Sequence, residues 1–336
     1  MADIFSLYQN CLCCPRACGV NRDAGERGFC GETAELRLSS AVLHRGEEPP
    51  LTGKGGSGAV FITGCNLGCA FCQNYQISRG AREPLVRRSL RGKKSSGDDF
   101  EGDECVKRGK RPGRTVSAEE FARICLTLRD RGAENINIVT GSHAVPAIAA
   151  GISAARNAGL ELPVLWNSSG YESLSALAML KDHVDMYLPD LKTLDSGLAA
   201  KWLNAPDYPE TARAAIRAMI AARAGKVIVR HLILPGCLDS TRTVLCWFAE
   251  HAAGRALLSV MTQYTPIPQN NKRADGPPGR FLNEAEYETV LGWLEEFGIE
   301  DGFCQELTAG SDWLPDFNRP NPFSSALSVP VWHWKG

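Results

Sequence analysis

The sequence predicts an α/β fold organised around a parallel sheet, and three observations carry that prediction. From about residue 59 onward, short β-branched or apolar runs alternate with longer amphipathic stretches, the pattern of repeated βα units. The chain has 336 residues, 44% of them hydrophobic, enough for a core of ordinary size in one large or two modest domains. One amphipathic stretch opens on a helix start signal, with Ser117 and Glu120 forming a Ser-x-x-Glu box ahead of Phe121, Ile124, Cys125 and Leu128.

Taken in order, a first strand is expected at 59–63 (Ala-Val-Phe-Ile-Thr), and the capped helix at 117–131 leads to a second strand at 135–140. A helix at 145–157 precedes a third strand at 163–167, and one at 174–181 precedes a fourth at 184–188. Helices at 211–224 and 241–251 flank the strand 227–234; a last strand at 258–262 and a helix at 284–297 complete about six units. Right-handed crossovers curl such an array into a full or partial barrel or a doubly wound sheet, and in each the chemistry belongs at the strand C-termini. Residues 82–114 break the rhythm with polar, mainly basic runs such as Lys93-Lys94-Ser95-Ser96-Gly97 and are expected to be a solvated, disordered insertion. Almost no aromatic residue interleaves those charges, so nucleic-acid binding is not expected there. The chain divides into a Cys-rich amino-terminal lobe (1–50), the βα array (51–300) and a carboxy-terminal extension (301–336).

Charge and hydropathy exclude other classes. Lys and Arg number 37 against 38 Asp and Glu, which argues against a wholesale polyanion or anionic-membrane binder. No run approaches a membrane span and the first residues lack a leader pattern, so a cytoplasmic protein is expected. The 13 cysteines are clustered: Cys11, Cys13, Cys14, Cys18 and Cys30 form one group, Cys65, Cys69 and Cys72 another. An odd total in tight groups points to a reducing compartment and metal ligation instead of disulfides.

The second group lies on the segment Gly64-Cys65-Asn66-Leu67-Gly68-Cys69-Ala70-Phe71-Cys72, directly after the first strand. A Cys-x3-Cys-x2-Cys loop can wrap one iron–sulfur cube, whereas zinc sites usually come as two separated Cys-x2-Cys pairs. Three ligands leave one iron open, as binding a substrate at the metal requires. With Phe71 just before the last cysteine, the loop resembles the signature of radical S-adenosylmethionine (radical SAM) enzymes. The block 64–78, with Cys72-Gln73-Asn74-Tyr75-Gln76-Ile77-Ser78, is similar to the pyruvate formate-lyase activating enzyme-like branch. The likeness continues through the segments 135–140, 187–192, 229–236 and 263–266, covering most of the chain outside the insertion.

This resemblance implies a partial (β/α)6 barrel in which Cys65, Cys69 and Cys72 hold a 4Fe-4S cluster whose fourth iron binds SAM. It implies reductive cleavage of SAM to a 5′-deoxyadenosyl radical that abstracts hydrogen, a low-potential donor such as flavodoxin or ferredoxin, and in this branch a glycyl-radical protein as substrate. Residues expected beside SAM are Phe71, Thr140, Ser142, Asn167, Asp190 and Lys192, although Thr140-Gly141-Ser142-His143 departs from the Gly-Gly-Glu turn that many relatives carry. His143, Arg230, His231 and Gln263 are expected on the substrate side. Arg230 and His231 are neighbours on one strand, so at most one of them faces the interior. Gly53-Lys54-Gly55-Gly56-Ser57-Gly58 matches Gly-x-Gly-x-x-Gly but precedes a strand, so it does not mark a dinucleotide site.

Cys11, Cys14, Cys18 and Cys30, with Cys13 as an extra thiol, form a four-thiolate set suited to zinc or to a second iron–sulfur cluster. Two further readings stay open: a radical SAM enzyme acting on a small molecule, and a non-catalytic iron–sulfur carrier or zinc module.

Overall fold

The computed structural model describes residues 6–78, 111–267, 276–308 and 310–336. Its strands in chain order are β1 (Leu36–His44), β2 (Ser57–Ile62), β3 (Arg114–Val116), β4 (Ile136–Val139), β5 (Val164–Ser168), β6 (Met186–Pro189), β7 (Ile228–Leu232), β8 (Leu257–Met261), β9 (Gly302–Cys304) and β10 (Ser328–His333). β2, β4, β5 and β6 pair in parallel in that order. Parallel bridges Tyr187–Val227 and Asp190–Arg230 carry the wall on to β7, and β8 and β9 extend it in parallel. Among the described residues no ladder joins β9 back to the first sheet. The architecture is a mixed α/β partial barrel, and the six predicted strands are β2, β4, β5, β6, β7 and β8. They were readable as near-continuous apolar runs because helices cover the outer face while the inner face is also enclosed.

The helices Ala118–Asp130, Val145–Asn157, Leu174–Leu180, Tyr208–Ala222, Leu238–His251 and Glu284–Glu296 occupy the predicted positions with shifted ends. The first keeps half of its capping box. Ser117 accepts the Glu120 N–H at 3.2 Å, but the Glu120 carboxylate is drawn instead to Arg114, whose guanidinium donates to it. Among the described residues no helix is long and apolar enough to cross a membrane.

Three stretches sit differently from expectation. Residues 36–44, expected within the amino-terminal lobe, run as β1 in the main sheet, antiparallel to β2, because all but Arg37 along this strand are buried. The segment 301–336 supplies both sheet edges, with β9 beside β8 and β10 antiparallel to β1. Most of the expected insertion lies outside the described residues, but 111–114 do not belong to it. Arg111 donates to the Cys30 and Gly31 carbonyls at 2.8 and 2.6 Å, and Arg114 opens β3 against β1.

The core lies between the wall and its helices, with Phe121, Trp166, Tyr187 and Phe248 fully buried. Leu51, Leu165, Leu188 and Ile228 form a separate buried group that plugs the barrel interior.

Candidate metal and cofactor site

β2 delivers the chain into the thiolate loop through Gly64, at φ +93°, where a Cβ would lie 2.7 Å from Glu32 and 2.9 Å from the His143 ring. Only glycine fits that turn. The loop is then held on three sides. Arg16 of the amino-terminal lobe donates to the Asn66 carbonyl at 2.8 Å, the Asn66 amide donates to the Tyr171 carbonyl at 2.6 Å, and Gly68 and Ala70 donate to Leu203 and Trp202 at 3.1 and 2.7 Å. Leu203 and Trp202 belong to a short π-helical turn, Ala199–Leu203, the kind of local irregularity that often marks a functional site.

Cys65, Cys69 and Cys72 line one cavity of about 680 Å³ that occupies the barrel interior. The Cys65 sulfur accepts the Leu67 N–H at 3.4 Å, and the Cys72 sulfur lies 3.4 Å from the Ser78 hydroxyl. Burial, then the neighbouring Cys69 and Cys72 sulfurs, push the Cys65 thiol up, so the three sulfurs lie within electrostatic reach of one another. Among the described residues no three His, Cys, Asp or Glu side chains are gathered as tightly as a single ion needs. A polynuclear cluster, whose thiolates grip different irons, suits such a donor set.

The strand C-termini complete the rim. Phe71, Thr140, Asn167, Asp190, Lys192 and Gln263 all line the cavity. Thr140 takes φ +68°, a conformation strained for a β-branched residue, at the point where β4 ends. Lys192 pairs with Asp190. Burial depresses the Lys192 ammonium, but the Asp190 carboxylate and the Cys69 sulfur outweigh it and hold the group above its ordinary value. The Tyr208 hydroxyl fixes this turn: it accepts the Lys192 N–H at 3.0 Å and lies 2.8 and 2.9 Å from the Ser169 and Asp190 carbonyls. Gln263 receives the Gln73 side chain on its carbonyl at 2.7 Å, tying the segment after Cys72 to the end of β8.

Three predicted site residues lie elsewhere. Ser142 is buried outside the cavity and donates to Glu172 at 2.5 Å, while His143 is packed behind Gly64 with its Nε2 2.9 Å from the Thr63 carbonyl. His231 faces the helix layer, with Nδ1 2.7 Å from the Leu191 carbonyl and Nε2 3.0 Å from the Thr241 hydroxyl. The alternation rule holds for the pair, since Arg230 lines the cavity. Arg230, however, is not open to a substrate: its guanidinium is bound by Glu47 and Glu48, Nε reaching Glu48 at 2.9 Å. Sequence reasoning missed those two carboxylates, together with Tyr208 and Glu172. The contacts span 182 residues for Glu48, and nothing near Glu48 in sequence signals them.

A partial parallel barrel with three thiolates at the C-terminal mouth of its first parallel strand defines a cluster-dependent enzyme of the radical type. The sequence model of the Radical SAM superfamily matches residues 59–244, more than half of the chain, and the protein belongs to that superfamily. Its members are catalytic, bind SAM and carry a 4Fe-4S cluster that draws its electron from a reductant. A curated relative, "Uncharacterized protein MJ0674" of Methanocaldococcus jannaschii, is 28% identical over 295 residues, covering 88% of this chain and 77% of its own. A radical SAM methyltransferase from Sphaerobacter thermophilus aligns at TM-score 0.49 and 15% identity over 76% of this chain and 68% of its own. Streptococcus suis SuiB bound to its precursor peptide SuiA aligns at TM-score 0.44 and 15% identity over 72% of this chain, which spans only 46% of the SuiB chain.

Proposed function

We propose that Cys65, Cys69 and Cys72 are the cluster ligands and that the cavity beneath them receives SAM and a small-molecule substrate. The observation that carries this is the convergence of the three thiols and four separate strand ends on one cavity. The bound cluster and SAM would supply a one-electron cleavage yielding a 5′-deoxyadenosyl radical for hydrogen abstraction. The chain's own residues hold and orient. Asn167 and the Asp190–Lys192 pair offer donors and acceptors to the polar end of SAM, Phe71 and Thr140 give apolar contact, and Gln263 joins the loop to the end of β8.

Aromatic residues in the cavity wall favour a small-molecule substrate. Trp313 and Phe323 of the carboxy-terminal extension line the cavity, and Phe323 packs against Phe61 at 5.7 Å between ring centres. The activating-enzyme reading, with a glycyl-radical protein as substrate, rests on the likeness of the block 64–78 and the segments that continue it. We infer a low-potential flavodoxin or ferredoxin as donor and a cytoplasmic location, since a cluster must be assembled on reduced thiols. Anaerobic reconstitution followed by reduction with SAM should release 5′-deoxyadenosine. Replacing any one of Cys65, Cys69 or Cys72 by Ala should abolish it, and retained cleavage would remove the ligand assignment.

We also propose a second metal centre on Cys11, Cys14, Cys18 and Cys30. Cys14 lies within electrostatic reach of the other three, and the Phe29 N–H donates to the Cys18 sulfur at 3.3 Å. Such N–H···S contacts stabilise metal-bound thiolates. The triple variant C65A/C69A/C72A should retain bound iron by elemental analysis; an iron-free protein would defeat the proposal.

A further inference from the structure

The barrel interior below the thiolate loop carries an unbalanced charge. Glu47 and Glu48 enter it from the segment that precedes β2, and one guanidinium, Arg230, serves both. All three side chains are nearly buried, at 12%, 5% and 7% exposure. His44, 3.9 Å from Glu47, does not supply the missing positive charge: the Gly46 N–H donates to its Nδ1 at 3.2 Å, which leaves that nitrogen an acceptor facing the carboxylate. Burial also holds the His44 ring below its ordinary value. Lys192, the other cation at the cavity, is already paired with Asp190. Two carboxylates and one guanidinium therefore leave one negative charge without a partner, and a buried charge is costly unless something of opposite sign reaches it.

Asn137 gives an independent sign of a missing donor. It is fully buried and lies on the same face of β4 as Val139, which lines the cavity. Its amide nitrogen donates to Glu47 at 3.0 Å and to Ser57 at 3.3 Å, while its Oδ1 has no hydrogen-bond partner among the described residues. Around this polar group stand aromatic faces. Trp313 lies over Gly46, where a Cβ would meet the indole at 2.6 Å, and Phe323 meets His44 edge-on at 4.8 Å. Carboxylate excess and aromatic walls together suit an organic cation.

SAM itself is cationic, but the reading above places it nearer the thiolate loop than the two carboxylates. β2 begins at Ser57, next to the carboxylate segment, and ends at Ile62, just before the thiolate loop. Asn137, which donates to Glu47, pairs in register with Ala59, three residue steps before Ile62, so the carboxylates lie roughly 10 Å below the loop.

We propose that the substrate carries an ammonium, guanidinium or amidinium group, held between Glu47, Glu48 and the aromatic cover, while the rest of the molecule extends toward the thiolate mouth. This assigns a substrate class to the site proposed above and rests on that reading for the reaction, though not for the binding. The test uses three ligands of matched shape and different charge, benzamidine, benzamide and benzoate, titrated into the full-length protein by calorimetry without SAM. Benzamidine should bind at least tenfold more tightly than benzamide, with benzoate weakest, and Glu47→Gln should shrink the first preference to within about twofold. Equal binding of benzamide or benzoate, no saturable benzamidine binding, or an unchanged preference in Glu47→Gln would overturn the proposal. If Glu47→Gln does not fold, the wild-type series alone decides. Since no step needs the cluster, failure here leaves SAM cleavage by the Cys65 loop intact as a separate result.

Discussion

Arg16→Met should loosen the thiolate loop, because Arg16 is the clasp between the amino-terminal lobe and that loop. Its Nε donates to the Asn66 carbonyl at 2.8 Å and its Nη1 to the Asn204 carbonyl at 2.7 Å. The guanidinium lies 3.9 Å from the centre of the Phe29 ring. A hydrogen bond from a charged donor to a part-buried carbonyl contributes about 1.5–3 kcal/mol, and the solvent-accessible bond to Asn204 about 0.5–1. The contact with Phe29 adds about 0.5–1 kcal/mol, part of which the Met side chain recovers. The net loss is about 3 kcal/mol, on the order of a hundredfold in the ratio of docked to undocked loop. Asn66 stands between Cys65 and Cys69, so the loss falls directly on the spacing of the thiolates. Urea unfolding should show a lower midpoint, and anaerobically reconstituted Arg16→Met should hold less iron and cleave SAM more slowly at equal protein. A stability within 0.5 kcal/mol of wild type, together with full iron content, would refute the clasp.

Two other outcomes follow from the same coordinates. His231 is buried and its pKa is lowered to about 4, chiefly by burial, so the folded state binds its proton later than the unfolded chain as pH falls. Its contribution is therefore complete above about pH 6.5 and is lost between there and about pH 4, roughly 2 kcal/mol being gone by pH 5. In His231→Gln the decline in urea-measured stability from pH 7.5 to 5 should be smaller by about that amount, and parallel curves would contradict the assignment. Phe317→Ala should cost about 3–5 kcal/mol, since the ring is fully buried against Phe61 at 5.2 Å between centres. A change in unfolding free energy under 1 kcal/mol would show that the extension does not seal the barrel through this residue.

How much was legible in the sequence depends on the range of the interactions. The six parallel strands were readable because each is short, apolar and buried on both faces. β1 was not, since Ser39 and Ser40 interrupt its apolar pattern although both are buried. β9 is only three residues long, and β10 carries Pro330, which weakens any strand pattern and suits an edge position. The Thr140 to His143 turn looked like one functional unit, yet only Thr140 reaches the cavity; Ser142 and His143 are captured by Glu172 and Thr63, partners that sequence could not pair with them. The opposite facing of Arg230 and His231 needed only the period of a strand.

By itself the sequence determined the thiolate loop, its position at a strand end and the βα rhythm around it, because ligand spacing and strand period are local properties of the chain. Tertiary structure decided which charges meet inside the barrel. Glu47, Glu48, Asn137 and Arg230 come from segments far apart in sequence, and only the curvature of the sheet brings them together. Enclosure then removes the water that would otherwise screen their charges, so the barrel interior acquires an electrostatic character that the near-neutral composition does not reveal.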